Sequence, residues 1–112
     1  MYYNTNTMLK LFVFAPDNER VIKNIINAAA EAGAGNIGNY THCAFVTKGK
    51  ESWFATSKAN PAQGKKNKFE YLNHVKIEIL CPDKKIKKAI TAIKRVHPYE
   101  TIAIDVIELA QT

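Results

Sequence analysis

Twice along this chain a run of alternating apolar and polar residues breaks at a proline–aspartate pair and resumes as an apolar stripe of helical period. That doubled pattern is the strongest constraint on the fold. From Met8 to Ala15, Leu9, Leu11, Val13 and Ala15 face one way while Lys10, Phe12 and Phe14 face the other, as in a central strand with apolar residues on both faces. Pro16-Asp17-Asn18 interrupts the run, and Asp17 is placed to cap a helix by accepting from free first-turn amides. Val21, Ile22, Ile25, Ile26, Ala29 and Ala32 then form one apolar stripe, which Gly33 ends. In the second half Val75, Ile77, Ile79 and Cys81 alternate with Lys76, Glu78 and Leu80. Pro82-Asp83 opens the next helix, where the N–H that proline lacks would have no partner anyway. Ile86, Ala89, Ile90, Ile93 and Val96 form its buried stripe, and Pro98 stops it. A last strand is expected over Ile102 to Leu109.

Between the two units, Thr41 to Lys48 alternates, with His42, Ala44 and Val46 opposite Cys43 and Phe45. Lys48-Gly49-Lys50 has the composition of a turn, and Ser52 to Ser57, with Trp53 and Phe54, reads as the return strand of a hairpin. Residues 58–72 read as a long exposed loop, a feature often functional in compact domains. The predicted order is β-α-β-β-β-α-β, a ferredoxin-like α+β sandwich with an antiparallel sheet and two helices on one face. At 112 residues the chain fits a single domain, with residues 1–7 as a loose N-terminal arm.

Three of the five glycines fall within Gly33-Ala34-Gly35-Asn36-Ile37-Gly38-Asn39-Tyr40. One reading is a helix C-cap followed by a tight loop. The other is a ligand-facing wall in which Asn36, Gly38, Asn39, Tyr40 and His42 meet the Asn60-Pro61-Ala62-Gln63-Gly64 loop, so that Asn60 and Gly64 complete a concave polar patch.

The formal net charge is +6. Six cations (Lys84, Lys85, Lys87, Lys88, Lys94, Arg95) sit on the second helix, and six more (Lys48, Lys50, Lys58, Lys65, Lys66, Lys68) lie in and after the hairpin. A lysine-rich helix face is ordinarily a solvated face, and no nucleic-acid module signature is present, so nucleic acid is an unlikely partner and anion binding a second alternative. Cys43 and Cys81 belong to no Cys-x-x-Cys or His-rich cluster and read as free thiols. With no secretory segment and no run near the roughly 20 apolar residues of a membrane span, the chain is expected to be soluble and cytoplasmic.

The glycine–asparagine–tyrosine stretch with Cys43 and Phe45, then Asn60-Pro61 and Gly64, then His97-Pro98-Tyr99-Glu100 and Asp105-Val106, resembles the PII-like domain inserted in bacterial members of the NGG-interacting factor three family, the type 2 GTP cyclohydrolase I family. The His-Pro-Tyr-Glu run is also similar to the end of CutA, the divalent-ion tolerance protein. The likeness spans residues 8–110. It implies a free-standing PII-like module rather than the enzyme, whose metal-binding residues lie in the surrounding domain, and it points to a homotrimer. Two departures stand out: His74 replaces a usual glutamate, while Glu78 keeps the next acidic position, and Thr101-Ile102 replaces the usual Glu-Pro.

No phosphate loop, nucleophile elbow or helical histidine pair is present. The functional expectation is therefore a non-catalytic trimeric module that senses a small molecule or docks a protein, without a cofactor. The alternative is a divalent metal ion held by His97 and Glu100 across the Pro98 turn. Against that stands His97 simply capping its helix while Tyr99 and Glu100 brace the turn.

Overall fold

The computed structural model describes residues 8–110, and the expected arm at residues 1–7 lies outside them. The elements are β1 (Met8–Pro16), α1 (Glu19–Glu31), β2 (Phe45–Phe54), β3 (Phe69–Pro82), a 3-10 turn at Asp83–Lys85, α2 (Ile86–Val96) and β4 (Ile104–Glu108). They build one sheet in the order β2-β3-β1-β4, with every neighbouring pair antiparallel. The α+β sandwich is as expected, but the order is β-α-β-β-α-β, one strand fewer than the β-α-β-β-β-α-β predicted.

The extra strand came from reading Lys48-Gly49-Lys50 as a turn. Instead β2 runs straight through it, with Lys48 opposite Val75, Gly49 opposite His74 and Lys50 opposite Asn73. A two-residue reversal needs positive φ, and Gly49 is not among the positive-φ glycines Gly33, Gly35, Gly38 and Gly64. The ladder of a 14-residue partner, β3, is long enough to hold all ten residues of β2 extended. The true reversal lies between Phe54 and Phe69, where Asn67, at φ 58°, returns its N–H to the Ala55 carbonyl at 2.6 Å. Residues 69–72, expected in the loop, are strand.

Register decides the core. Leu11, Val13 and Ala15 stand opposite Ile79, Ile77 and Val75, so these six share the face that the helices cover. All are buried, together with Cys81, with Ile25, Ala29 and Ala32 of the first helix region, and with Ala89 and Ile93 of α2. Each fully buried Leu or Ile contributes about 1.5–3 kcal/mol relative to exposure, and the stripes seen in the sequence supply them. Helix α1 is capped by Asn18 rather than Asp17: its side chain accepts from Val21 N–H at 3.1 Å. At the other end Gly33, at φ +102°, closes a Schellman turn, with Gly33 N–H on Ala30 and Ala34 N–H on Ala29.

Strands β2 and β3 overhang the rest of the sheet, because β1 reaches only as far as Pro16 opposite His74. The 14 residues of β3 at about 3.3 Å each account for the long dimension of 47 Å against 25 and 23 Å. On β2, residues 45–50 are all exposed, and Phe45, Phe54, Phe69 and Tyr71 each present more than half of their surface to solvent.

Candidate functional site

The predicted patch does not form, because its two loops lie at opposite ends of the sheet. The Gly33–Cys43 loop is tied to the end of β3 by Gly35 N–H on the Leu80 carbonyl, at 2.7 Å, and by Cys43 N–H on Gly35. Asn60 and Gly64 sit in the loop that joins Phe54 to Phe69. Phe45 and Phe54 are nine residues apart along the ladder, which at ~3.3 Å per residue is about 30 Å.

What the glycine end builds is backbone. Ile37 and Tyr40 exchange two N–H···O bonds around Gly38-Asn39. Asn36, Gly38, Asn39 and Tyr40 point outward, Tyr40 75% exposed. His42, at φ 60°, is also exposed, with its Nδ1 2.9 Å from Thr41 Oγ1. Thus Asn36, Gly38, Asn39, Tyr40 and His42 cluster together, but apart from Asn60 and Gly64.

The other end is built from side chains. His97 is 7% exposed, and both of its ring nitrogens are used inside the chain. Nε2 lies 2.8 Å from the Phe14 carbonyl, and Tyr99 N–H reaches Nδ1 at 3.1 Å. A carbonyl can only accept and an amide can only donate, so the proton sits on Nε2 and the imidazole is neutral. Burial lowers its pKa from the ordinary 6.5, with the Phe14 bond and Glu51 pulling the other way. The ring therefore extends the β1 ladder where β4 has not yet begun. It has no free lone pair for a cation, and Glu100 instead accepts from Asn60 N–H at 2.7 Å. The His97–Glu100 metal site expected as an alternative is not assembled, and no group of three or more His, Cys, Asp or Glu placed to hold a metal occurs among the described residues.

His74, 2% exposed, joins this cluster. Its Nδ1 faces the Leu72 carbonyl at 3.3 Å, its Nε2 lies 2.7 Å from Tyr99 Oη, and Tyr99 Oη lies 2.9 Å from Gln63 Oε1. A phenol has one proton. The chain is fully satisfied either with the Gln63 amide turned to donate, or with both imidazole nitrogens protonated. Burial and Glu51 push the Tyr99 hydroxyl up to about 12, so the phenol stays neutral. Trp53 packs edge-on against His74 at 5.3 Å and against Tyr99 at 6.1 Å. In the same region Glu70 accepts from Lys65 N–H, and a Cβ on Gly64 (φ +81°) would stand 2.7 Å from its Oε2.

These groups flank a cavity of about 340 Å³ between β2 (Glu51, Trp53), the 55–68 loop (Ala59, Pro61, Gln63) and residues 99–103. Thr101 and Ile102, one of the noted departures, form part of its wall. His74, the other departure, holds the Tyr99 ring that borders it. The sequence pointed to Asn60, His97 and Glu100 but missed Glu51, Trp53, Gln63, His74 and Tyr99 as partners. No local signal joins Trp53, His74, His97 and Tyr99, which lie on separate stretches of the chain.

Other charged and thiol groups fall where local rules place them. Lys84 and Lys85 of the 3-10 turn and Lys87 and Lys88 of early α2 lie at the glycine end, while Lys58, Lys65, Lys66 and Lys68 lie at the cavity end, so the lysines form no single patch. Both cysteines are free; burial, helped by Asp83, pushes the Cys81 thiol up to about 11. No helix among the described residues is long and apolar enough to cross a membrane.

No protein-family model matches the chain. It is 35% identical over 106 residues to a GTP cyclohydrolase 1 type 2 homolog of Halalkalibacterium halodurans, an alignment covering 95% of this chain and 28% of that protein. The like-named protein of Listeria innocua is 39% identical over 106 residues, with 94% and 28% covered. Among solved structures, a Bacillus cereus protein related to NIF3 superposes with TM-score 0.75 and 32% identity, over 94% of this chain and 26% of that one. CutA of Archaeoglobus fulgidus, a periplasmic divalent cation tolerance protein, superposes with TM-score 0.69 over 94% and 86% at 15% identity, a likeness of fold alone. The chain thus spans little more than a quarter of the length of the curated relatives it matches. It has the CutA fold and is homologous to one segment of the GTP cyclohydrolase 1 type 2 homologs.

Proposed function

We propose that this chain is a non-catalytic, cytoplasmic assembly module of PII/CutA type that works as a homotrimer and responds to a small molecule or a docked protein. The observation that carries this reading is the state of β2. It is an edge strand of ten residues, and such an edge offers a row of free N–H and C=O groups for pairing. On it stand Phe45, 68% exposed, and Phe54, and beside it the stacked Phe69–Tyr71 pair of β3. Exposed apolar surface of this kind marks an interaction face. A ring of three copies, each edge meeting the next, satisfies every edge at once. The two free thiols fit a reducing compartment. The non-catalytic part rests on His97, whose ring nitrogens are both spent on the fold.

Light scattering coupled to gel filtration tests the assembly: the expected mass is three chains, and Phe45→Lys on the free edge is expected to lower it. A mass of one chain at micromolar concentration overturns the trimer. Trp53 is unsuitable for this purpose because it packs on His74 and Tyr99 within its own chain. Incubation of the purified protein with GTP is expected to yield no ring-opened product. Turnover that persists through purification and disappears in a His97 variant would overturn the non-catalytic reading.

A further inference from the structure

We propose that the cavity beside Tyr99 binds a small organic cation, an ammonium group carried on a compact apolar body. Three observations converge on that ligand class. The first is charge. In a chain with 16 Lys and Arg against 10 Asp and Glu, the cavity wall holds two carboxylates, Glu51 and Glu100, and no lysine or arginine. The neighbouring His97 is neutral by its own hydrogen bonds, so its ring does not balance Glu51.

The second is an unmet acceptor. Glu51 Oε1 is shielded from solvent and has no hydrogen-bond partner among the described residues. An acceptor left in that condition carries an uncompensated desolvation cost, larger for a charged group, and a donor entering the cavity removes it. Glu100 differs: one of its oxygens already accepts from Asn60 N–H, which fixes the carboxylate at the rim.

The third is the shape and character of the walls. Trp53 and Tyr99 supply aromatic surfaces, and Pro61 and Ile102 supply aliphatic ones. Aromatic faces attract ammonium groups, more strongly when dry. Tyr99 is held in place by His74, so that wall is preformed. The volume of about 340 Å³ lies at the small end of the roughly 300–1,000 Å³ range of ligand sites, which fits a one-ring or short-chain amine. An anion would meet two carboxylates, and a neutral molecule without a donor would leave Oε1 unpaired. The inference goes beyond the assembly reading and stands without it.

Trp53 is the single tryptophan of the chain, so its fluorescence reports on the cavity directly. The test titrates the full chain with benzylammonium chloride, with benzyl alcohol as neutral isostere and sodium benzoate as anion, and follows backbone amide shifts at residues 51–53 and 99–102 in parallel. The expected result is a saturable response to benzylammonium at least about tenfold tighter than to the alcohol, a factor equal to 1.4 kcal/mol, with none to benzoate. Glu51→Gln is expected to weaken binding about tenfold and the exposed Glu100→Gln to weaken it less. Equal affinity for amine and alcohol, full affinity in both variants, or no saturable response to benzylammonium would each overturn the proposal. Because the first and third outcomes use only the unmodified protein, a variant that fails to fold leaves the test intact. Light scattering on the same samples separates a failure of binding from a failure of assembly.

Discussion

At one end of the sheet, from Gly33 to Cys43, the polar work is done by the backbone: Gly35, Ile37, Tyr40 and Cys43 pair through N–H and C=O groups, and the side chains of Asn36, Asn39 and Tyr40 face water. At the other end, where residues 97–103 meet the β2–β3 overhang, it is done by side chains: His97 on Phe14, His74 on Tyr99, Tyr99 on Gln63, Glu100 on Asn60. Both ends close a sheet, but only the second leaves a cavity with an unmet acceptor. Glycine-rich stretches attract attention in a sequence because they permit unusual backbone. Here that permission is consumed by the fold, and the chemistry collects where ordinary His, Tyr, Trp and Glu converge.

That contrast can be broken by substitution at each end. The largest effect is expected from Gly35→Ala. At φ +75° a Cβ would stand 2.9 Å from the Cys43 carbonyl oxygen, and backbone cannot give as a side chain can. Left-handed strain of about 1–2 kcal/mol and overpacking of about 1–3 together predict a loss of about 3 kcal/mol in urea unfolding.

Next is His97→Leu, which leaves the Phe14 carbonyl and the Tyr99 N–H without their partner and is expected to cost about 2–3 kcal/mol. The same residue carries a pH signature. Its folded pKa lies below the unfolded value of 6.5 because the ring is buried. Between the two values the unfolded chain binds the proton and the folded chain does not, so stability rises with pH there. The contribution is complete above 6.5 and declines as pH falls below it. Urea midpoints of the wild type are therefore expected to drop on acidification from pH 7, and those of His97→Gln to drop less. Parallel curves for the two proteins would remove His97 from the account.

Tyr99→Phe should cost about 1–2 kcal/mol, since it strips the hydroxyl from the His74–Gln63 chain, and should shift the Trp53 emission. A smaller effect, about 1 kcal/mol, the low end of left-handed strain, is expected for Gly38→Ala. Gly38 also has positive φ, +57°, but a Cβ there meets nothing within 4 Å, so only the left-handed strain remains. Similar losses at Gly35 and Gly38 would mean that φ alone, not the close approach to Cys43, makes the glycine end rigid.

What the sequence determined by itself was everything decided within a few residues. The period of Leu11, Val13, Ala15 and of Ile25, Ala29, Ala32 marked the core faces; Gly33 marked the end of α1; Pro98 marked the end of α2. These follow from side-chain direction and backbone sterics, which any short window contains. The same local reading failed at Lys48-Gly49-Lys50, because a glycine between lysines suits a turn or an edge strand equally, and only the length of β3 opposite it decides. It failed again in joining Gly38 to Gly64. Whether two loops share an end of a sheet depends on strand count and register, and removing one imagined reversal moved them about 30 Å apart. The meeting of Phe14 with His97, 83 residues apart, and of Glu51 with Tyr99 around one cavity, was settled by tertiary structure alone. Antiparallel ladders bring distant segments side by side at positions fixed by the whole register, and no stretch of sequence carries that register in itself.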